Sequence, residues 1–170
     1  MRTRIITCAA TMPAPASIQW QDINLGDCFT TNAITISRRD ILDFALDFDP
    51  QPYHLDPDAG DNSLFGGLCA SGWHVTAVMM RLLTDTFAKN SINLLGSDGV
   101  SNLRWKKPVF AEDTLSSTIT VSKKDIGESN YPLSYIECEV DVCNQNNELV
   151  IQLSTSLMIG NDQRGGSVHE

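Results

Sequence analysis

Positive charge is scarce in this chain: 12 lysines and arginines stand against 21 aspartates and glutamates, a net charge of −9. Such a surface has little with which to displace counterions from a polyanion, so neither nucleic acid nor anionic membrane is an expected partner. A small phosphorylated ligand is still compatible, because a few local cations suffice to hold one. Long apolar runs are missing too. None approaches the roughly 20 residues that a membrane-spanning helix needs. The five cysteines, Cys8, Cys28, Cys69, Cys138 and Cys143, form no CxxC pair and no metal-ligand spacing. Their odd number cannot pair completely within one chain, so a reduced, cytoplasmic compartment and no metal site are expected.

What is present is enough apolar material for one core. At 170 residues and 42% hydrophobic content, two ordinary domains are not expected. Residues 1–17 carry two arginines, no acid and the Pro13 and Pro15 pair, and read as a disordered tail rather than a targeting segment. Residues 161–170 lack any apolar pattern and read as a second loose tail. A single domain is expected over residues 18–160.

The order of elements reads strand, helix, loop, helix, then several strands. Residues 28–36 are rich in Thr and Ile and end at Ser37, which can cap a helix with Asp40 as the partner in a capping box. Ile41, Phe44, Ala45 and Phe48 then recur on one helical stripe. The following DPQPYHLDPDAGD holds three prolines within eight residues, which is expected to bar a regular helix. Val75, Val78, Met79, Leu82, Leu83 and Phe87 share the face of a longer helix, and apolar character from Val75 to Met80, broken by Thr76 alone, predicts that its first half is enclosed nearly all round. Ile136, Cys138, Val140 and Val142 alternate with polar residues as in a strand. Asn144 to Asn147 is a plausible hairpin turn, after which Leu149, Ile151, Leu153 and Leu157 continue the alternation. Val109, Leu115, Ile119 and Val121 predict an earlier strand pair around a Glu112–Asp113 turn. The fold class is α+β, an antiparallel sheet covered by one long helix.

Of three histidines, His169 lies in the expected tail and His74 on the first helical turn reads as a solvent-side or capping group. His54 follows Asp49 by five residues across Pro50, Gln51 and Pro52. An imidazole and a carboxylate held by a stiffened backbone suit proton transfer, although the same residues also describe a capped surface turn. Ser71 and Gly72 fall where the long helix begins. Its unpaired N–H groups can polarise a carbonyl oxygen, or the segment can be an ordinary loop-to-helix junction.

The residues alone leave these alternatives open, and the order of motifs adds a resemblance. Asp49-Pro50-Gln51-Pro52-Tyr53-His54-Leu55-Asp56 resembles the D-x-N-P-x-H-x-D signature of MaoC-like (R)-specific enoyl-CoA hydratases. Phe65-Gly66-Gly67 and Ala70-Ser71-Gly72 fall where that family has its F-x-x and A-H-G segment. Leu103 to Val109 and then Glu112-Asp113-Thr114-Leu115 are similar to its strand and turn ending in PV and GDTL. Gln51 replaces the usual Asn and Ser71 the usual His, so hydrogen bonding around the pair is expected to differ.

The resemblance implies a hot-dog fold and a lyase that adds water to a trans-2-enoyl-CoA, or removes it from a 3-hydroxyacyl-CoA. No cofactor is implied beyond the coenzyme A of the substrate. Asp49 and His54 would activate the water and the Gly72 N–H would hold the thioester oxygen. Ser71, Gln51, Tyr53, Phe65, Trp73, Lys106 and Lys107 would bind substrate, with Arg104, Lys123 and Lys124 as further candidates for the phosphates. A homodimer or higher homo-oligomer is implied. A hot-dog thioesterase and a non-catalytic acyl-thioester-binding module are the alternatives.

Overall fold

Alternation in the C-terminal half produces what the side-chain period of a strand requires, one face for the core and one for solvent. The computed structural model describes residues 18–126 and 133–160. After a 3-10 turn at Trp20–Asp22 come β1 (Cys28–Thr30), β2 (Ile34–Thr35), α1 (Arg38–Phe48), α2 (Pro52–Leu55), α3 (Pro57–Asp61) and α4 (Gly72–Lys89). Then follow β3 (Leu94–Trp105), β4 (Thr114–Ile126), β5 (Leu133–Cys143) and β6 (Leu149–Gly160). The strands form one antiparallel sheet in the order β1-β4-β5-β6-β3, with β2 also paired to β4. The terminal segments expected as tails, with Cys8 and His169, lie outside the described residues. No helix among the described residues is long and apolar enough to cross a membrane.

Ile136, Cys138, Val140 and Val142 of β5 are all fully buried, while Glu137 and Glu139 between them are exposed. The Asn144 turn joins β5 to β6 as expected: Asn144 N–H donates to the Glu148 carbonyl at 3.0 Å and Asn147 takes a positive φ of 59°. Asparagine tolerates that left-handed conformation better than most residues. Val75, Met79, Leu82, Leu83 and Phe87 of α4 are buried, most of them in one core with the inward faces of β4, β5 and β6.

Several sequence expectations need correction. The predicted pair around Glu112–Asp113 is not a hairpin, because β3 pairs with β6 whereas β4 pairs with β1, β2 and β5. The β5–β6 hairpin separates β3 from β4, so residues 106–113 carry the chain across the structure instead of turning it back. The single strand expected over residues 28–36 is two short ones. Between them Thr31 leaves the ladder, donating its N–H to Ser117 O and accepting the Ser117 N–H on its hydroxyl at 2.8 Å. The first half of α4 is not enclosed all round: Ala77 is exposed and Met80 is 37% exposed, since the sheet covers one face of the helix. In α1, Ile41 and Ala45 are buried but Phe48 is 73% exposed. Phe48 ends its helix beyond the core contact and reaches only the Phe44 ring, 5.0 Å away.

The Ser37–Asp40 capping box is present, with Asp40 N–H donating to Ser37 Oγ at 3.2 Å and Ser37 N–H donating to Asp40 Oδ2 at 2.9 Å. Hydrogen bonds from the Ser37 hydroxyl and amide hold the Asp40 carboxyl below the ordinary carboxylate range. His74 is buried rather than solvent-facing. Its ring stacks on Phe44 at 4.8 Å and 7°, tying α4 to α1, and its Nδ1 has no hydrogen-bond partner among the described residues. Burial pushes the imidazole pKa down, with the Asp40 charge opposing that shift.

A histidine kept neutral by burial makes stability depend on pH. Between the unfolded histidine pKa of about 6.5 and the lower folded value, the unfolded chain binds the extra proton, so stability falls as pH falls. The melting temperature should therefore drop between pH 7.5 and 5.5, and His74→Phe, which keeps a stackable ring, should show a smaller drop. Equal drops in the two proteins would remove His74 from the account.

Candidate active site

Asp49 is the C-cap of α1, its N–H donating to Ala45 O at 3.0 Å. Proline at the next position cannot donate to the helix and disfavours helical geometry before it, so α1 stops there. The prolines beyond do not bar helix as expected from the sequence; they start two short ones. Pro52 and Pro57 occupy first-turn positions of α2 and α3, where a missing N–H costs nothing. Asp56 caps α3, accepting the Asp58 N–H at 3.0 Å. These turns place His54 on α2 facing back toward Asp49.

The loop after α3 completes the histidine's setting. Gly60 of α3 lies directly on this loop: a Cβ there would sit 2.6 Å from Gly67 C and Leu68 N. Cys69 N–H reaches Tyr53 O at 3.4 Å and the Ala70 N–H donates to Val109 O at 2.7 Å. The Cys69 carbonyl then lies 2.7 Å from His54 Nδ1. A carbonyl only accepts, so Nδ1 carries the proton and, in the neutral ring, Nε2 bears the lone pair. Nε2 faces Asp49 Oδ2 across 3.5 Å.

Ser71, 1% exposed, joins the carboxylate to the helix terminus. Its hydroxyl donates to Asp49 Oδ2 at 2.6 Å and accepts the Trp73 N–H at 3.3 Å, so one side chain both caps α4 and orients Asp49. The Gly72 N–H, first in the helix, has no hydrogen bond among the described residues. The Cys69 thiol is 3.7 Å from His54 Nδ1. Burial pushes its pKa up, as it pushes Cys138 on the sheet up to about 12, so both remain thiols and neither is primed as a nucleophile.

Asp49, His54 and Gly72 open on one cavity of about 520 Å³, which Tyr53, Phe65, Trp73, Lys106 and Lys107 also line. Gln51 is exposed and outside that lining; its backbone carbonyl accepts the His54 N–H at 2.9 Å. Arg104 bonds the Leu103 carbonyl, Lys123 pairs with Glu137, and Lys124 lies over the Trp20 ring and bonds Ile23 O. None of these three lines the cavity. Lys107 pairs with Glu148, whereas Lys106 makes no ion pair among the described residues. The sequence reading missed Trp105, Leu64 and the Cys69 carbonyl. Trp105 sits inside the quoted strand motif, but no local pattern announces its packing on Gly72, 33 positions earlier. Among the described residues no cluster of three or more His, Cys, Asp or Glu side chains is arranged to hold a metal.

Comparison with known proteins bears on the family and the fold. The model of the MaoC like domain matches residues 24–137. The crystal structure of a MaoC-like dehydratase from Rhodospirillum rubrum is 33% identical and superposes with a TM-score of 0.76, covering 85% of this chain and 98% of that one. The uncharacterized protein YdeM of Bacillus subtilis is 28% identical over 103 residues, 61% of this chain and 72% of its own length. Protein MaoC of Klebsiella aerogenes is 28% identical over 108 residues, 63% of this chain but only 31% of that longer protein. The helix-on-sheet architecture is the hot-dog fold.

The close seat of Gly60 yields a test of how the loop is held. Its missing Cβ would meet main-chain atoms, which cannot rotate aside, so Gly60→Ala should cost about 1–3 kcal/mol. In urea denaturation the midpoint should fall while the slope stays constant. An unchanged midpoint would show that the loop moves freely at that point.

Proposed function

The chain belongs to the MaoC-like domain family, and from that premise we propose that it is a hydratase/dehydratase acting on trans-2-enoyl-CoA and 3-hydroxyacyl-CoA thioesters. The observation that carries this reading is the 3.5 Å gap between His54 Nε2 and Asp49 Oδ2, with Nδ1 already committed to Cys69 O. In the neutral ring two acceptors face each other at a distance too long for a direct bond. A water has two protons to offer and can donate one to each. Its oxygen lone pair then turns toward the cavity.

In the proposed reaction that oxygen bonds to the β-carbon of the enoyl thioester. The π electrons move to the α-carbon and thioester carbonyl, and the negative charge on the oxygen is met by the free Gly72 N–H at the positive end of α4. The Asp49/His54 pair takes one proton from the water and a proton is returned to the α-carbon, so atoms and charge balance. Addition of water exchanges no electrons with a third party, and no redox cofactor is called for. Ser71 holds Asp49 for this step through its 2.6 Å bond. Lys106 and Lys107 at the cavity are the cations proposed for the coenzyme A phosphates.

We also infer a homodimer. Among the described residues β3 is an edge strand paired only with β6, and Leu95 and Val100 on it are each 53% exposed. An unpaired edge bearing large apolar side chains is a template for a second copy.

The reading predicts that loss of the enoyl-thioester absorbance on incubation with crotonyl-CoA proceeds without thiol release. Asp49→Asn and His54→Gln should each reduce that turnover by at least about 100-fold, the scale of a lost acid–base group, with little change in melting temperature. Thiol release instead would assign a thioesterase, and a large loss of folding in both variants would make the pair structural.

A further inference from the structure

Trp105 ends β3, opposite Ile151 of β6. Its indole reaches back to the first residue of α4. Nε1–H donates to the Gly72 carbonyl at 2.9 Å and also lies 3.3 Å from Thr76 Oγ1; the Thr76 hydroxyl donates to the same carbonyl at 2.9 Å. The ring packs so closely that a Cβ on Gly72 would lie 2.7 Å from Cε2, 2.8 Å from Nε1 and 3.0 Å from Cδ2. Trp73 meets the same indole edge-on, with centroids 5.3 Å apart and planes at 78°.

A glycine at the first helical position is the residue least able to hold its own conformation. Its N–H has no intrahelical acceptor, and its helix end is where fraying begins. Removing the side chain makes room for the indole, and the indole returns a hydrogen bond and a flat packing surface. Trp105 is 46% exposed, so its contribution to the core is partial, yet its Nε1–H is spent on the Gly72 carbonyl and the Thr76 hydroxyl beside it, while its ring crowds the Gly72 Cα that joins this carbonyl to the peptide bearing the Gly72 N–H.

We propose that Trp105 is a positioning residue that pins Gly72 and so fixes the direction of the Gly72 N–H into the cavity beside Asp49 and His54. The inference rests on the reading of that N–H as the thioester-oxygen donor. A donor that matters only as charge develops acts on kcat and leaves ground-state binding alone. Trp105 touches no reacting atom in this account; it acts through Gly72.

Trp105→Phe keeps an aromatic face but deletes the N–H together with part of the indole surface packed on Gly72. On crotonyl-CoA, kcat should fall about tenfold, less than complete loss of an oxyanion donor costs, while KM stays within about twofold. Thr76→Val, which removes the hydroxyl on the same carbonyl, should lower kcat in the same direction, and the double variant should lose less than the product of the two. The NMR order parameter of the Gly72 N–H should fall in Trp105→Phe with the global melting temperature nearly constant. Wild-type kcat in Trp105→Phe, a loss confined to KM, or an unchanged Gly72 order parameter would each overturn the proposal. If the wild-type protein hydrates no enoyl thioester, the functional reading fails by itself, and the order parameter still decides whether Trp105 pins Gly72.

Discussion

Everything at the site hangs on burial of one face of α4 against the inner face of the sheet. Val75, Met79, Leu82, Leu83 and Phe87 are each 3% exposed or less, and full burial of such side chains is worth about 1.5–3 kcal/mol apiece. That contact fixes the axis of the helix, and with it the place where the chain can deliver Ser71 and Gly72. The sheet in turn fixes where β3 ends, which is where Trp105 meets the helix. The catalytic candidates sit at the rim of this core, on turns that pack closely on one another.

Short polar links then set the atoms. The Ser71–Asp49 bond, at 2.6 Å between a residue 1% exposed and a carboxylate, belongs to the charge-assisted class worth about 1.5–3 kcal/mol. Exposed ion pairs such as Arg39–Asp43 and Arg81–Asp85 belong to a class worth about 0–1 kcal/mol. The site is therefore held by few strong bonds and the surface by many weak ones. His54 shows the same economy. The bond between Nδ1 and Cys69 O selects the tautomer, and that selection leaves the lone pair of the neutral ring on the nitrogen that faces Asp49.

Much of this was legible in the sequence wherever the signal was local. The two-residue period of Ile136 to Val142 gave its strand, the Ser37–Asp40 spacing gave its capping box, and the Asp49–His54 spacing gave the pair that the structure brings to 3.5 Å. Misreadings arose where a distant partner decides. β3 pairs with β6 some fifty residues later, and no periodicity within residues 94–126 reports that pairing. Phe48 keeps the apolar spacing of α1 but ends the helix past its contact, so period predicts a face and not its cover. The Pro57 misreading was avoidable: Asp56-Pro57 is a cap followed by a first-turn proline, a helix start in its own right.

The scarcity of cations also bears on the ligand. Of five basic residues considered for phosphate, Arg104, Lys123 and Lys124 are turned to partners away from the cavity. Lys107 is paired with Glu148, and both side chains are between 41% and 49% exposed. A pair so well solvated is weakly held, so an arriving phosphate, itself a charge-assisted acceptor, competes for Lys107 at little cost. Glu148 is not left stranded by that exchange, because it also accepts the Asn144 side-chain amide at 2.9 Å. For the proposed coenzyme A substrate, the acidic protein thus needs only Lys106, without an ion pair among the described residues, and Lys107, exchangeable, at the mouth of one cavity.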